Sequence, residues 1–118
     1  MRNAKGLIVR KPWINLILDG LKTWEMRSTH TRNTGVVYLI ESGTGLIMGR
    51  CLLSGSHTVT HDIFNHSYNE HRIEDISLLD RWNVAWRLSG AKRLNNPVPY
   101  DHPQGAVTWV NLAKPFYE

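Results

Sequence analysis

Hydrophobic and polar residues alternate along several stretches of the chain, a pattern typical of β-strands with one buried face. The strands that this pattern predicts cover residues 4–10, 23–28, 36–41, 46–54, 86–94 and 106–112. Gly49 lies in the middle of the fourth strand, where a glycine predicts a bulge or a bend. The tripeptide Asn95-Asn96-Pro97 predicts a turn between the last two strands.

Helical signals are confined to two parts of the chain. Pro12 precedes a nearly continuous apolar run over residues 13–19 and Gly20 follows it, as is typical of the start and the end of a short helix. Residues 60–80 contain shorter helical pieces. The strands do not alternate regularly with helices, as a parallel sheet would require. We therefore predict an α+β fold: a mixed, mostly antiparallel β-barrel with one short N-terminal helix and a helical insert.

The length of 118 residues fits one domain, and we interpret residues 1–118 as a single domain. Cys51 is the only cysteine, so it has no partner for an internal disulfide, which favours a reducing compartment. No apolar run approaches the roughly 20 residues of a membrane-spanning helix, and the first residues lack the apolar segment of a signal peptide. We expect a cytoplasmic protein that does not associate with membranes.

The formal net charge of +4 is unevenly distributed along the chain. Residues 1–59 contain eight Lys and Arg against three acidic residues, a net charge of +5, whereas residues 60–118 contain six against seven, a net charge of −1. A one-sided positive field attracts polyanions, because their binding releases counterions. The charge favours a nucleic acid or a nucleotide as the partner, although many small basic proteins bind neither.

Three charged residues stand close together after the first helix. Glu25 and Arg27 are two apart on a predicted strand and project to the same side, and Lys22 lies at the bend that enters this strand. A carboxylate flanked by two cations stays ionised even when it is buried. It can accept a hydrogen bond from a nucleobase while Lys22 or Arg27 contacts a carbonyl or a phosphate. The alternative is a structural ion pair that holds this strand against the helix.

The segment KPWINLILDGLKTWEMRS, residues 11–28, resembles the signature of the ASCH superfamily, PUA-like domains named for activating-signal cointegrator homology. In that signature a strand is followed by a Pro-Trp helix and then by a G-x-K-x-x-E-x-R turn and strand. The matching residues are Pro12, Trp13, Gly20, Lys22, Glu25 and Arg27. The resemblance implies a small bacterial stand-alone ASCH protein with a PUA-like β-barrel.

The resemblance implies more than one activity. Some small bacterial ASCH proteins deacylate N4-acetylcytidine with a lysine and a threonine of this turn and a glutamate further along. Lys22 matches the lysine, but Glu25 stands where the nucleophilic threonine would be, and Glu70 or Glu74 only approximately matches the glutamate. Lys22 and Glu25 are thus the candidate catalytic residues if the protein is an enzyme. We expect an inefficient amidohydrolase at best, since Glu25 also stabilises the ammonium form of Lys22.

Glu25 follows instead the cointegrator-type domains, for which nucleic-acid binding is the usual suggestion. We predict a module that binds RNA, single-stranded DNA or a modified nucleoside through Lys22, Glu25 and Arg27, without a cofactor. The alternatives are a hydrolase of the N4-acetylcytidine type or a ribonuclease, an activity that is also reported within the superfamily.

Aromatic and basic residues supply further candidates for ligand contact. Trp13 follows Arg10 and Lys11 in the chain and is a better candidate than Trp82 or Trp86 for stacking on a base. Tyr38, central in its strand, either lines the barrel mouth or packs in the core.

The histidines, two tryptophans and a late loop give weaker signals. Four histidines lie between residues 57 and 71, but no acidic or cysteine ligand completes a metal-binding spacing. We predict exposed histidines on the helical insert and no metal site. Trp82 and Trp86, four residues apart, are expected to pack in the core. Asp101 and His102 belong to a predicted loop that contacts the ligand if it lies near the barrel mouth.

Overall fold

The structure, a computed structural model, describes residues 4–113. Numbered in chain order, the strands are β1 (Ala4–Val9), β2 (Trp24–Arg27), β3 (Gly35–Glu41), β4 (Leu46–Thr58), β5 (Val84–Pro99) and β6 (Trp109–Leu112). The helices are α1 (Trp13–Leu18), α2 (His61–Asn65), α3 (Tyr68–His71) and a 3₁₀ helix (Ile76–Asp80). None of these helices is long and apolar enough to cross a membrane.

The strands form one curled sheet, an open half-barrel, in the order β2-β5-β4-β3-β1-β6. Only β1 and β3 pair in parallel, and the other neighbours are antiparallel. This arrangement confirms the prediction of a mixed, mostly antiparallel, barrel-like α+β fold with a short N-terminal helix and a helical insert.

One face of the sheet packs against α1. The apolar run of the helix buries Ile14, Ile17 and Leu18 against sheet residues that include Leu39 and Leu53, both fully buried. Burying a side chain of this size contributes about 2 kcal/mol to folding. The first helix is thus fixed on the sheet, and the turn that follows it has a defined place.

The opposite face of the sheet holds a second apolar cluster. Neighbouring residues of a strand point to opposite faces, so Leu39 joins the first cluster while Tyr38 and Ile40 join the second. Leu94 and Val98 from the second half of β5 pack in the same cluster. Apolar residues on both faces of β3 therefore require that the sheet curl around itself, as it does here.

For the two longest strands, β4 and β5, the structure overturns one sequence prediction and confirms another. The predicted turn at Asn95-Asn96-Pro97 is wrong, because β5 runs through it and pairs with β4 on both sides, Arg93 with Gly49 and Val98 with Ile47. Burial of apolar side chains on either side of the tripeptide keeps the strand on the sheet, and the turn residues become an irregularity within it. The predicted bulge at Gly49 is confirmed by register shifts on both sides of β4.

The helical insert, residues 60–80, forms a third layer. It begins at Thr60, whose side chain caps α2 by accepting the Ile63 N–H at 3.2 Å. Phe64 and Leu79 pack on Met26 of β2 in a third apolar cluster. The insert is thereby fixed next to the turn and strand that carry the charged triplet.

Candidate functional site

A cavity of about 510 Å³ opens where the half-barrel fails to close, between β2 and the end of β1. Its walls come from β1, α1, β2, the helical insert and the loops after β3 and β5. Arg27 spans the opening, because its Nη2 donates a hydrogen bond to the Ile8 carbonyl oxygen at 2.6 Å. The volume lies within the range of small-molecule binding sites.

Lys22, Glu25 and Arg27 all line this cavity, so the structure brings the predicted triplet together. Lys22 is 2% exposed, its amine donates a hydrogen bond to the His71 carbonyl, and its Nζ lies 4.8 Å from the centre of the Trp13 ring. Burial lowers the pKa of Lys22 to about 8, although the nearby Glu25 carboxylate opposes this shift. The expected stabilisation of the ammonium form by Glu25 is thus outweighed by desolvation.

Glu25 is buried and paired on one side only. Its Oε2 accepts hydrogen bonds from Arg27 Nη2 at 2.9 Å and from Arg27 Nε at 3.2 Å. Its Oε1 accepts no hydrogen bond from any residue between positions 4 and 113. The cavity therefore contains a carboxylate oxygen with free acceptor capacity beside two cations.

His71 holds Lys22 in place from the helical insert. Its ring is 1% exposed and stacks on Phe64, with the ring centres 4.0 Å apart. The Ile73 N–H donates to Nδ1 at 2.9 Å, so the imidazole is neutral and its Nε2–H donates to the Phe64 carbonyl at 2.8 Å. The expectation of exposed histidines on the insert is wrong at this position, because the ring is part of the third core layer.

The remaining walls are aromatic and apolar. Trp13 and Trp82 line the cavity together with Met26, Ile73 and Leu78. Trp82 was expected in the core, but it is only partly buried, whereas Trp86 is a core residue at 2% exposure as predicted.

The mouth of the cavity is positively charged. Arg10 lies there together with His102, whose ring binds the Tyr100 hydroxyl at 2.7 Å and the Ala106 carbonyl at 2.9 Å. These contacts shape the loop between β5 and β6. The charged lining consists of three cations, Arg10, Lys22 and Arg27, and one anion, Glu25, so the formal charge is +2.

The structure separates the other predicted contact residues into two groups. Trp13 and Arg10 line the cavity, whereas Lys11 does not, because its amine lies 3.3 Å from Glu41 and its side chain is 68% exposed. Tyr38 is 3% exposed in the second core cluster and does not line the cavity either. The structure therefore places Tyr38 in the role of a core residue.

Neither candidate for a third catalytic residue reaches the cavity. The Glu70 carbonyl accepts the Thr23 N–H at 3.0 Å, which ties α3 to the start of β2, while Glu74 is exposed in a neighbouring groove. Glu25 is the only acidic residue among the described residues that line the cavity.

Sequence reasoning missed the cavity residues that come from distant segments, Ile8, Ile73, Tyr100 and Val107. In the loop after β5, the sequence had indicated only Asp101 and His102 as possible ligand contacts. Of these two, His102 lines the cavity. Within residues 4–113 no three His, Cys, Asp or Glu side chains are grouped closely enough to hold a metal ion.

Comparison with known proteins identifies the family. The family model of the ASCH domain matches residues 7–100, which include every charged residue of the cavity. The chain belongs to the ASCH domain family. A search of the curated proteins found no match.

Solved structures show the same ASCH fold. The crystal structure of ASCH from Zymomonas mobilis is 14% identical, with a TM-score of 0.71 over 97% of this chain and 90% of that one. Two mutants of that protein superpose with TM-scores of 0.72 and 0.71, at 14% identity, over 96% of this chain and 90% and 92% of theirs. At this identity the similarity shows a shared fold and nothing more.

Proposed function

We propose that the cavity of this ASCH protein binds one nucleobase, either in RNA or single-stranded DNA or in a modified nucleoside. The observation that carries the proposal is the arrangement of Glu25, Lys22 and Arg27 together in the lining of an aromatic-walled cavity. One carboxylate oxygen with free acceptor capacity lies beside two cationic donors.

The hydrogen-bonding edge of a base fits this arrangement. A base with an N–H next to a carbonyl, such as uracil, guanine or an N-acylated cytosine, donates to Glu25 Oε1 and accepts from Lys22 or Arg27. Trp13 and Trp82 supply aromatic surface of the kind on which unstacked bases pack. The buried carboxylate gives this recognition its specificity, because a base without the N–H leaves the carboxylate unpaired.

The positive charge of the cavity lining attracts the phosphate backbone of the ligand. Arg10 lies at the rim, and the formal charge of the lining is +2. Contacts of this kind attract phosphates without reading sequence, and they weaken as salt displaces them. Affinity should therefore fall several-fold between about 50 and 200 mM salt.

Binding is measured by fluorescence polarisation with labelled single-stranded RNA and DNA of the same sequence, and by calorimetry with nucleosides that include N4-acetylcytidine. Glu25→Gln keeps the size of the side chain but removes its charge, and it should weaken binding about 10- to 100-fold. Asp80→Asn, at an exposed carboxylate outside the cavity, is the matched control. The proposal fails if the wild type binds none of these ligands at low salt, or if Glu25→Gln binds as tightly as the wild type.

A hydrolase is the second candidate, and one observation favours it. The pKa of Lys22 is lowered to about 8 by burial, which brings the amine into the range used for proton transfer near neutral pH. The carboxylate at position 25 argues against the acyl-enzyme route of N4-acetylcytidine amidohydrolases. The ribonuclease alternative has no residue in the cavity that favours it specifically.

A further inference from the structure

A second concave surface adjoins the cavity. This flanking groove, of about 430 Å³, lies between α1, α3 and the segment that enters the 3₁₀ helix. Trp13, Ile73 and Leu78 line both the groove and the cavity. The side chains of these three residues therefore border both spaces, and the groove and the cavity are adjacent.

The flanking groove contains a preorganised aromatic surface. Tyr68 lines it and is 43% exposed, so part of the side chain is accessible to a ligand. The Arg72 guanidinium lies 5.6 Å from the centre of the tyrosine ring, and Arg72 Nε is itself held by the carbonyls of Leu21 at 3.0 Å and Asn69 at 3.3 Å. The Tyr68 and His71 rings are nearly perpendicular, with the ring centres 5.9 Å apart. A ring held this way loses little entropy when a base stacks on it.

The charges of the groove differ from those of the cavity. Arg72 is opposed by Glu74 and Asp75, so the formal charge of the lining is −1, against +2 in the cavity. A phosphate group is disfavoured here, whereas the exocyclic amine of cytosine, adenine or guanine can donate to the exposed Glu74 carboxylate. Charge and aromatic surface together favour a base over a phosphate.

A cation of the cavity lining lies close in the chain to Trp13, the residue that the two spaces share. The chain enters Trp13 through Arg10, Lys11 and Pro12, and Arg10 already lines the cavity mouth. A strand with one base in the cavity therefore has Arg10 in the lining of that cavity for a phosphate and Tyr68 in the adjoining groove for its next base.

We propose that the flanking groove is a second base subsite, which binds the nucleotide next to the one in the cavity and prefers a base with an exocyclic amine. The ligand is then a single strand of at least two nucleotides. This inference rests on the proposed function of the cavity, and it adds a subsite, a minimal ligand length and a base preference.

The test compares the dissociation constants of uridine and cytidine monophosphates with those of the dinucleotides UpU, UpC and CpU, measured by calorimetry at low salt. The better dinucleotide should bind at least 10-fold more tightly than the better mononucleotide. Tyr68→Ala should reduce this ratio to about 2 and leave mononucleotide binding unchanged. Ile63→Ala is the control, since Ile63 is exposed on α2 and lines neither space.

Glu74→Gln gives a second readout at an exposed side chain whose replacement does not threaten folding. It should reduce the preference for the tighter of UpC and CpU over UpU while UpU affinity stays the same, because the amide oxygen still accepts a hydrogen bond but carries no charge. The inference is overturned if mononucleotides bind and dinucleotides bind no more tightly, or if Tyr68→Ala weakens both equally. The proposed function survives those two results. Failure of mononucleotides and dinucleotides alike to bind the wild type overturns the inference, and it overturns the proposed function as well if the labelled RNA and DNA and the nucleosides also fail to bind.

Discussion

The amine of Lys22 donates a hydrogen bond to the main-chain carbonyl of His71, a residue 49 positions further along the chain. This contact fastens the turn that enters β2 to the helical insert, and it makes the position of the amine depend on how the insert packs. The insert is in turn fixed by the stack of His71 on Phe64. The site therefore depends on two segments that the sequence separates widely.

Replacing Lys22 with methionine should stabilise the protein and abolish binding. The shift of the Lys22 pKa to about 8 corresponds to roughly 3 kcal/mol against the buried ammonium ion, which methionine avoids while it keeps the apolar chain. Loss of the hydrogen bond to His71 costs about 1 kcal/mol. We expect the free energy of unfolding at pH 7, measured with urea, to rise by about 1–2 kcal/mol. Lys92→Met, at an exposed position, is the control. A loss of stability in Lys22→Met would instead show that Lys22, Glu25 and Arg27 form a structural cluster that stabilises the fold.

The advantage of Lys22→Met should depend on pH in a defined window. The pKa of Lys22 is about 8 in the folded protein and 10.5 in its unperturbed state. Between these values the unfolded chain binds more protons than the folded one, so the wild-type stability increases with pH relative to the variant. The difference between the two proteins should shrink as the pH rises from 8 to 10.5. Urea titrations at three pH values check this, and a constant difference would contradict it.

The buried imidazole of His71 should make the protein sensitive to acid. Burial lowers the pKa of His71 below its ordinary value of 6.5, and a backbone hydrogen bond to Phe64 opposes this only in part. Below pH 6.5 the unfolded chain takes up a proton that the folded chain resists, so stability falls as the pH decreases toward the folded pKa.

The variant His71→Gln should be less stable than the wild type at pH 7 by about 1–3 kcal/mol, because it leaves buried backbone groups poorly paired. Its loss of stability between pH 7 and pH 5 should be smaller than that of the wild type. His66→Gln is the control, because the His66 side chain is 77% exposed. An equal acid response in the wild type and His71→Gln would refute the assignment.

The charged triplet was predictable because it is local. Lys22, Glu25 and Arg27 lie on one turn and one strand, so their spacing alone places them on one side. Ile73 and Trp82 were not predictable as cavity residues, since they reach it through long-range contacts such as that between the Thr23 N–H and the Glu70 carbonyl. Residues 23 and 70 are brought together by the core, and no local pattern encodes that pairing.

Local turn chemistry misled at the one place where burial competes with it. Asn95-Asn96-Pro97 has the composition of a turn, yet Leu94 and Val98 hold β5 on the second apolar cluster on either side. The sequence also did not decide whether Tyr38 lines the cavity or packs in the core. Alternation within a strand shows that the strand has two faces, but it does not show which face borders a cavity. These choices are decided by tertiary packing.

Gly49 is expected to tolerate no side chain. A Cβ atom there would lie 2.5 Å from the Lys92 carbonyl oxygen and 2.4 Å from Leu18 Cδ2. Gly49→Ala should therefore lower the free energy of unfolding by about 2–3 kcal/mol, because backbone or helix α1 must shift. Gly43→Ala is the matched comparison, since nothing lies within 4 Å of its Cβ and only its φ of 84° opposes substitution, at about 1 kcal/mol. Equal losses in the two variants, measured with urea, would show that the close approach at Gly49 relaxes freely.

The wild-type protein should turn over little or no N4-acetylcytidine. An acyl-enzyme route needs a nucleophile such as a hydroxyl group beside the lysine, and here the position three residues after Lys22 is Glu25, paired with Arg27 at 2.9 Å and 3.2 Å. Attack by the Lys22 amine would convert the acetyl amide into a stable acetyl-lysine, so that route ends after one turnover. The lowered pKa of Lys22 makes the amine a competent proton acceptor once a hydroxyl group is supplied.

The decisive comparison is between Glu25→Thr and Glu25→Val, which differ by a hydroxyl group in nearly the same volume. Glu25→Thr should release acetate from N4-acetylcytidine slowly but over many turnovers, and Glu25→Val should not. Adding Lys22→Met to Glu25→Thr should remove the activity again, because no base then takes the hydroxyl proton. Rapid turnover by the wild type that Lys22→Met abolishes would show instead that the cavity already hydrolyses the amide, with water activated directly beside Glu25.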